Sequence, residues 1–170
     1  YPIRGMRLTA PNGSRAALSG GEARVLPRDR FDRILLDAAA EGGVDVQTGV
    51  TARRIVPDDD DTALVETDAG RIRARWVVAA DGAGNRFNRD ARPPRRIRAG
   101  LVHFEGIEFQ PETVELIYDR RLVPGYLWLF PEAPNRANIG FMLPPDRRHE
   151  DSLRDLGRSL LADYFGSRLS

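Results

Sequence analysis

Trp76-Val77-Val78-Ala79-Ala80-Asp81-Gly82-Ala83-Gly84 is the stretch whose reading decides the fold. Its apolar residues do not alternate with polar ones, which is the pattern of a strand covered on both faces at the centre of a parallel sheet. Open α/β sheets bind ligands beyond the carboxyl ends of such strands. Small residues at that end let the backbone approach a bound group, and free N–H groups there can hold a phosphate or another anion. The Asp81 carboxylate could accept from a ligand hydroxyl, from water, or from backbone N–H groups of the following loop. The same Asp-Gly pair also serves as an ordinary turn.

Upstream of this stretch, Asp29 is an N-cap candidate with Asp32 three positions on, and Phe31, Ile34, Leu35 and Ala38 then repeat at helical spacing until Gly42-Gly43. Residues 44–46 read as a short strand and 53–56 as another. The acidic run 58–61 suits a solvated turn. Residues 63–67 and 70–74 pair as a hairpin around Asp68-Ala69-Gly70. At the start of the chain, residues 3–8 and 15–18 flank the turn Pro11-Asn12-Gly13-Ser14, which makes a hairpin.

Downstream the texture changes. Arg92, Arg95, Arg96 and Arg98 surround Pro93-Pro94 in a basic connector. The segments 101–105, 113–118, 126–130 and 137–142 read as an antiparallel sheet. Trp128 and Phe130 share one face and Leu127 and Leu129 the other, so this strand is either interior or the wall of a nonpolar cavity. Leu153, Leu156, Leu160 and Leu161 give the last segment an amphipathic helix. These readings divide the chain into 1–90, with the hairpin as an insertion, and 91–170.

There is no cysteine, which excludes disulfides and thiol chemistry and fits a reducing cytoplasm. The 26 basic and 25 acidic side chains nearly cancel, so charge gives no reason to expect nucleic-acid binding. No apolar run approaches the roughly 18 residues of a membrane span. His103 and His149 lack the company of a metal site and read as core or surface residues. Ser, His and Asp occur without a nucleophile elbow, so hydrolysis has little support. Arg28, Arg86 and Arg89 are each either surface cations or complements to an anionic ligand. Tyr126, Trp128 and Phe130 are either core or pocket wall.

Taken together, the segments resemble the geranylgeranyl reductase family, within the FAD-dependent oxidoreductases of the para-hydroxybenzoate hydroxylase type. The run from Arg28 through Phe31-Asp32, Leu35, Ala39 and Gly43-Val44, and then 77–83, is similar to the second part of the FAD domain of that superfamily. Pro124-Gly125-Tyr126-Leu127-Trp128-Leu129-Phe130-Pro131, followed by Ala137-Asn138-Ile139-Gly140, is similar to the family's own signature, and Glu115-Leu116-Ile117-Tyr118 fits the strand before it.

The resemblance implies an α/β fold, α+β in the piece at hand: a partial Rossmann-like FAD domain with an antiparallel substrate sheet. It implies that Arg28 faces the FAD phosphate or ribityl region. Val50 would meet adenine through its backbone, and Asp81, Gly82 and Ala83 the ribityl and pyrophosphate side. Tyr126, Trp128, Phe130 and Gly140 would border the substrate cavity, with Trp128 the main contact. No catalytic acid is named, because the hydride comes from the flavin.

Three departures stand out. No G-x-G-x-x-G unit precedes Tyr1, no second glycine-aspartate motif follows the sheet, and the signature's last G-x-G reads Gly140-Phe141-Met142. The chain is therefore expected to be an internal fragment whose parent is the enzyme, and the isolated piece to be inactive and weak in FAD binding. The parent is expected to reduce double bonds of an isoprenoid chain, with NAD(P)H or ferredoxin as donor. It would work in the cytoplasm or at the inner face of the membrane, where the apolar strand and C-terminal helix would serve a lipid. An aromatic hydroxylase or monooxygenase and a non-catalytic, partner-binding piece are the alternatives. An unclosed apolar surface would favour self-association or a complementary segment.

Overall fold

A computed structural model describes residues 1–58, 61–82, 86–87, 97–144 and 152–168. The chain forms two compact units, one of Tyr1–Asp32 with Arg95–Ser170 and the other of Arg33–Pro94.

The first unit is built on a six-stranded sheet. Its strands are β1 (Pro2–Thr9), β2 (Arg15–Arg24), β6 (Arg98–Glu105), β7 (Thr113–Ile117), β8 (Leu127–Ala133) and β9 (Arg136–Leu143), in the order β2-β1-β7-β8-β9-β6. Every pairing is antiparallel except β1 with β7, which runs parallel from Gly5–Thr113 to Thr9–Ile117. The opening hairpin is thus part of this sheet, and the compact units differ from a division at residue 90. Residues more than a hundred positions apart make that pairing, and no local pattern announces it. The hairpin is also longer than expected, because the register shifts between Ile3 and Gly5 and Gly20, at φ +96, turns the extra residues of β2 out of the ladder.

Strand β8 alternates as its sequence demands. Leu127, Leu129 and Pro131 are buried, whereas Trp128 and Phe130 are half-buried. The buried side packs against helix α2 (Leu153–Phe165), whose Leu156, Leu160 and Phe165 meet Leu127, Leu129, Ile139, Phe141 and Leu143. Ser152 caps α2 by accepting the Asp155 N–H at 3.2 Å. Gly157 and Gly100 allow the close approach, since a Cβ on either would touch the Phe141 ring at 2.9 or 3.0 Å.

A buried ionic cluster ties the loop before β8 to this helix. Asp119, 8% exposed, accepts from the Arg121 backbone N–H at 2.7 Å, from Arg121 Nε and Nη2 at 2.9 and 2.8 Å, and from the Tyr164 hydroxyl at 2.8 Å. The Arg121 hydrogen bonds hold the Asp119 carboxyl down at about 2, and burial is the main reason the Tyr164 hydroxyl sits above its ordinary range. Arg121 also donates to Ser159 on α2 at 2.9 Å and pairs with Asp163 at 2.8 Å.

The second unit contains the antiparallel sheet β3 (Ala52–Pro57), β4 (Ala63–Thr67) and β5 (Gly70–Ala74). Helix α1 (Arg28–Glu41) runs across the boundary of the two units in sequence. It begins at Arg28, so Asp29 lies in its first turn rather than at its cap. Its apolar stripe is present but uncovered among the described residues: Phe31, Ile34, Leu35 and Leu36 are all exposed.

Two expected strands do not form. Residues 44–46 and 76–80 carry no strand, and Trp76 and Val78 are 88% and 87% exposed. A central strand exists only through hydrogen-bonded neighbours, and no described strand pairs with either segment. Among the described residues of this unit, the sheet is closed by local hairpins. An apolar run shows what a segment can bury, not that a neighbour is present to bury it.

Candidate functional site

The sheet face opposite α2 carries a row of aromatic rings. Tyr118 and Tyr126 have centroids 5.8 Å apart, Tyr126 and Trp128 6.1 Å, and Trp128 and Phe130 6.0 Å. The Trp128 and Phe130 planes differ by only 26°. The period of two in β8 puts these side chains on one face. Two neighbours fix the indole. Asn138, on β9, accepts the Trp128 Nε1–H at 2.7 Å, and Gly140 lies directly opposite Trp128 in the register. A Cβ at Gly140 would lie 2.3 Å from Trp128 Cζ2 and 2.7 Å from the Gly100 carbonyl oxygen. The absent side chain of Gly140 is therefore the seat of the indole. Met142, at the signature's second glycine position, donates its backbone N–H to the Tyr126 carbonyl at 3.0 Å.

A cavity of about 580 Å³ opens along this row, lined by Arg28, His103, Trp128, Phe130, Glu132 and Asn138 among others. A second, of about 440 Å³ and mainly apolar, has walls that include Met6, Leu18 and Val114, and it shares Val25 and Phe130 with the first. Arg28 stands at the start of α1, its guanidinium held to Asp32 by bonds of 3.1 and 3.2 Å. This exposed pair adds little stability, and its effect is to orient Arg28. At the far end, Glu132, whose side chain is only 5% exposed, meets His103 Nδ1 at 2.9 Å and Arg136 Nε at 3.0 Å.

The structure thus brings Arg28, Trp128 and Phe130 to one cavity. Tyr126 extends the ring row, and Gly140 lies beneath Trp128, where it also borders a smaller cavity against α2. Val50, Asp81 and Gly82 belong to the other unit. There the Asp81 carboxylate accepts the Arg86 backbone N–H at 2.6 Å, and Gly82 has φ +71, a conformation that favours glycine. Val50 is half-buried and precedes Thr51, which exchanges two hydrogen bonds with Asp68: its N–H donates to the carboxylate at 2.9 Å and its carbonyl accepts the Asp68 N–H at 3.2 Å. The Thr51 N–H is the chief cause of a lowered Asp68 pKa. Ala83, Arg89, Arg92, Arg95, Arg96 and His149 lie outside the described residues. No metal-holding cluster occurs among the described residues.

Sequence reasoning did not pick out Glu132, Arg136, Asn138 or His103 for this site. The spacing of two after Trp128 and Phe130 would have pointed to Glu132. His103 required the β6–β9 register, which sets it opposite Asn138.

Residues 5–152 match the family described as FAD binding domain. The chain is 31% identical over 163 residues to digeranylgeranylglycerophospholipid reductase 2 of Methanopyrus kandleri, a match that covers 89% of this chain and 41% of that protein. Among solved structures, a geranylgeranyl bacteriochlorophyll reductase-like protein of Thermoplasma acidophilum superposes with a TM-score of 0.79 at 22% identity, over 96% of this chain and 46% of that one. The flavin-dependent halogenase CmlS superposes with a TM-score of 0.70 at 17% identity, over 99% of this chain and 34% of that one. The chain therefore spans less than half the length of these relatives. Its fold is α/β, a Rossmann-like FAD-binding region with an antiparallel sheet of the para-hydroxybenzoate hydroxylase type. By its match over residues 5–152, the chain belongs to the FAD binding domain family.

Proposed function

We propose that the complete polypeptide is an FAD-dependent oxidoreductase that reduces carbon–carbon double bonds of a geranylgeranyl or related isoprenoid chain. The observation that carries this reading is the half-buried row Tyr126, Trp128 and Phe130 beside two adjoining cavities. A long, largely apolar wall suits a hydrocarbon, and a few polar groups at one end suit its orientation. The kinship to a reductase of digeranylgeranylglycerophospholipids supports it.

The residues also fit FAD. Trp128 and Phe130 offer aromatic surface in the cavity to a flat ring system, and Arg28, paired with Asp32, adds a cation at the positive end of α1. Arg28 would hold the phosphate or ribityl region, Val50 the adenine through its backbone, and Asp81, Gly82 and Ala83 the ribityl and pyrophosphate side. FAD supplies the hydride when bound. Trp128, fixed by Asn138 and Gly140, orients the substrate, and the aromatic row keeps water from it. NAD(P)H or ferredoxin would supply the electrons. Contact with a membrane surface would fall to elements other than α2, whose apolar side is used by the sheet. No described helix is long and apolar enough to cross a membrane.

Anaerobic incubation of the complete polypeptide with reduced flavin and a geranylgeranyl lipid should yield products heavier by multiples of two hydrogens. An unchanged lipid mass would refute the reading. The polar end at His103, Glu132 and Arg136 favours one alternative, hydroxylation of a polar aromatic. It would show instead as NAD(P)H oxidation that consumes oxygen when such a compound is added.

A further inference from the structure

Glu132 is a buried carboxylate committed to two partners through one oxygen, His103 Nδ1 at 2.9 Å and Arg136 Nε at 3.0 Å. The fold assembles this group from β6, β8 and β9. A carboxylate at Nδ1 holds the proton on that nitrogen and turns Nε2 into the nitrogen that deals with a ligand. Among the described residues Nε2 has no hydrogen-bond partner. The imidazole lines the same cavity as Trp128 and Phe130, and its side chain is 43% exposed. The other polar groups there are poor proton donors to carbon. Arg28 and Arg136 keep their protons, the Asn138 amide oxygen is taken by Trp128, and Asp29 and Glu132 are acceptors when ionised.

Resting on the double-bond reading, we infer that His103 is the proton donor of this cavity and that Glu132 positions it. Saturating a double bond adds two hydrogens. One carbon takes hydride, with its electron pair, from reduced FAD, which is thereby oxidised. The π pair of the double bond forms the other C–H bond with the Nε2 proton of His103 in its imidazolium form, in which both ring nitrogens carry a proton and Glu132 keeps the one on Nδ1. The N–H bond breaks with its electrons left on nitrogen, and the neutral imidazole regains a proton from water at its exposed edge.

Two measurements on the complete polypeptide test this. The chain has 2 histidines, so a long-range proton–nitrogen correlation spectrum of labelled protein, with His103→Asn to identify the signals, reads the tautomer directly. His103 should be protonated on Nδ1 when neutral, and Glu132→Ala should return it to the Nε2-protonated form usual for free imidazole. An Nε2-protonated His103 in the unaltered protein overturns the inference without recourse to any variant. At saturating FAD, single-turnover reduction of a geranylgeranyl lipid should slow by about 10²-fold or more in His103→Asn, and added imidazole should partly restore His103→Ala. If His103→Asn keeps pace with the unaltered protein, only the proton-donor assignment falls. If the unaltered protein leaves the lipid unreduced, the double-bond reading falls and takes the assignment with it.

Discussion

Replacing Gly140 by alanine is expected to displace Trp128 and to destabilise the first unit by about 3 kcal/mol, at the upper end of the usual cost of overpacking. The new Cβ would sit 2.3 Å from Trp128 Cζ2, 2.7 Å from Cε2 and 2.7 Å from the Gly100 carbonyl oxygen. Turning the indole would relieve the first two contacts and not the third, because a carbonyl in a sheet ladder moves only if β6 moves with it. Turning the indole would also break its 2.7 Å bond to Asn138. The variant should lower the urea midpoint and shift Trp128 emission to longer wavelength, measured with Trp76 replaced by phenylalanine so that one tryptophan remains. Stability within about 0.5 kcal/mol of the parent, the range of an ordinary surface change, with an unchanged spectrum would show that Gly140 is not the seat of the ring.

Loss of Asp119 is the second large effect expected. Asp119→Ala removes the acceptor of three Arg121 bonds and one Tyr164 bond, and leaves a half-buried guanidinium against α2 with Asp163 and Ser159 as its partners among the described residues. Breaking one partner of a buried pair costs about 3–5 kcal/mol, and partial exposure of Arg121 lowers this to about 2–4 kcal/mol. The carboxyl also gives the cluster a pH signature. Its value falls from 3.8 to about 2 on folding. The stabilisation is thus fully present above pH ~4 and is lost as pH drops through about 2; it amounts to about 2 kcal/mol. Urea unfolding at pH 7, 4 and 2 should show the parent losing that much more than Asp119→Asn over the acidic step. Equal losses in the two proteins would remove Asp119 from the acid response.

Much of the first unit was legible because β strands and amphipathic helices announce themselves locally. The alternation in 126–130 gave both sides of β8, and Leu153, Leu156 and Leu160 gave the inner side of α2. What local pattern does not contain is the identity of neighbours. The parallel pairing of β1 with β7 joins segments over a hundred residues apart, so local pattern does not show that the first hairpin belongs to this sheet. The apolar 76–80 has the composition of a buried strand, but a strand needs a partner, and no described strand pairs with this segment. The site divides in the same way. Trp128 and Phe130 share a face by their spacing of two, and Arg28 stands beside a helix start; these three line one cavity. The meeting of His103 with Glu132 depends on the register of β6, β9 and β8, which sequence does not display. Gly140 is expected from the resemblance to border the substrate cavity; what lies against it is the Trp128 indole, a contact set by the register of β8 with β9.

In the proposed function, the cavity bounded by Arg28, Trp128 and Phe130 receives the flavin with its substrate. The most direct test is an FAD titration of the complete polypeptide carrying Trp76→Phe, following Trp128 emission while equilibrium dialysis counts bound FAD. Quenching of Trp128 that saturates with occupancy near one FAD per chain is predicted, as is a loss of about tenfold or more in affinity on Arg28→Ala, the effect of removing a charge-assisted contact. FAD bound at that stoichiometry with Trp128 emission unchanged, or no binding by the folded polypeptide, would show that the flavin does not sit in this cavity.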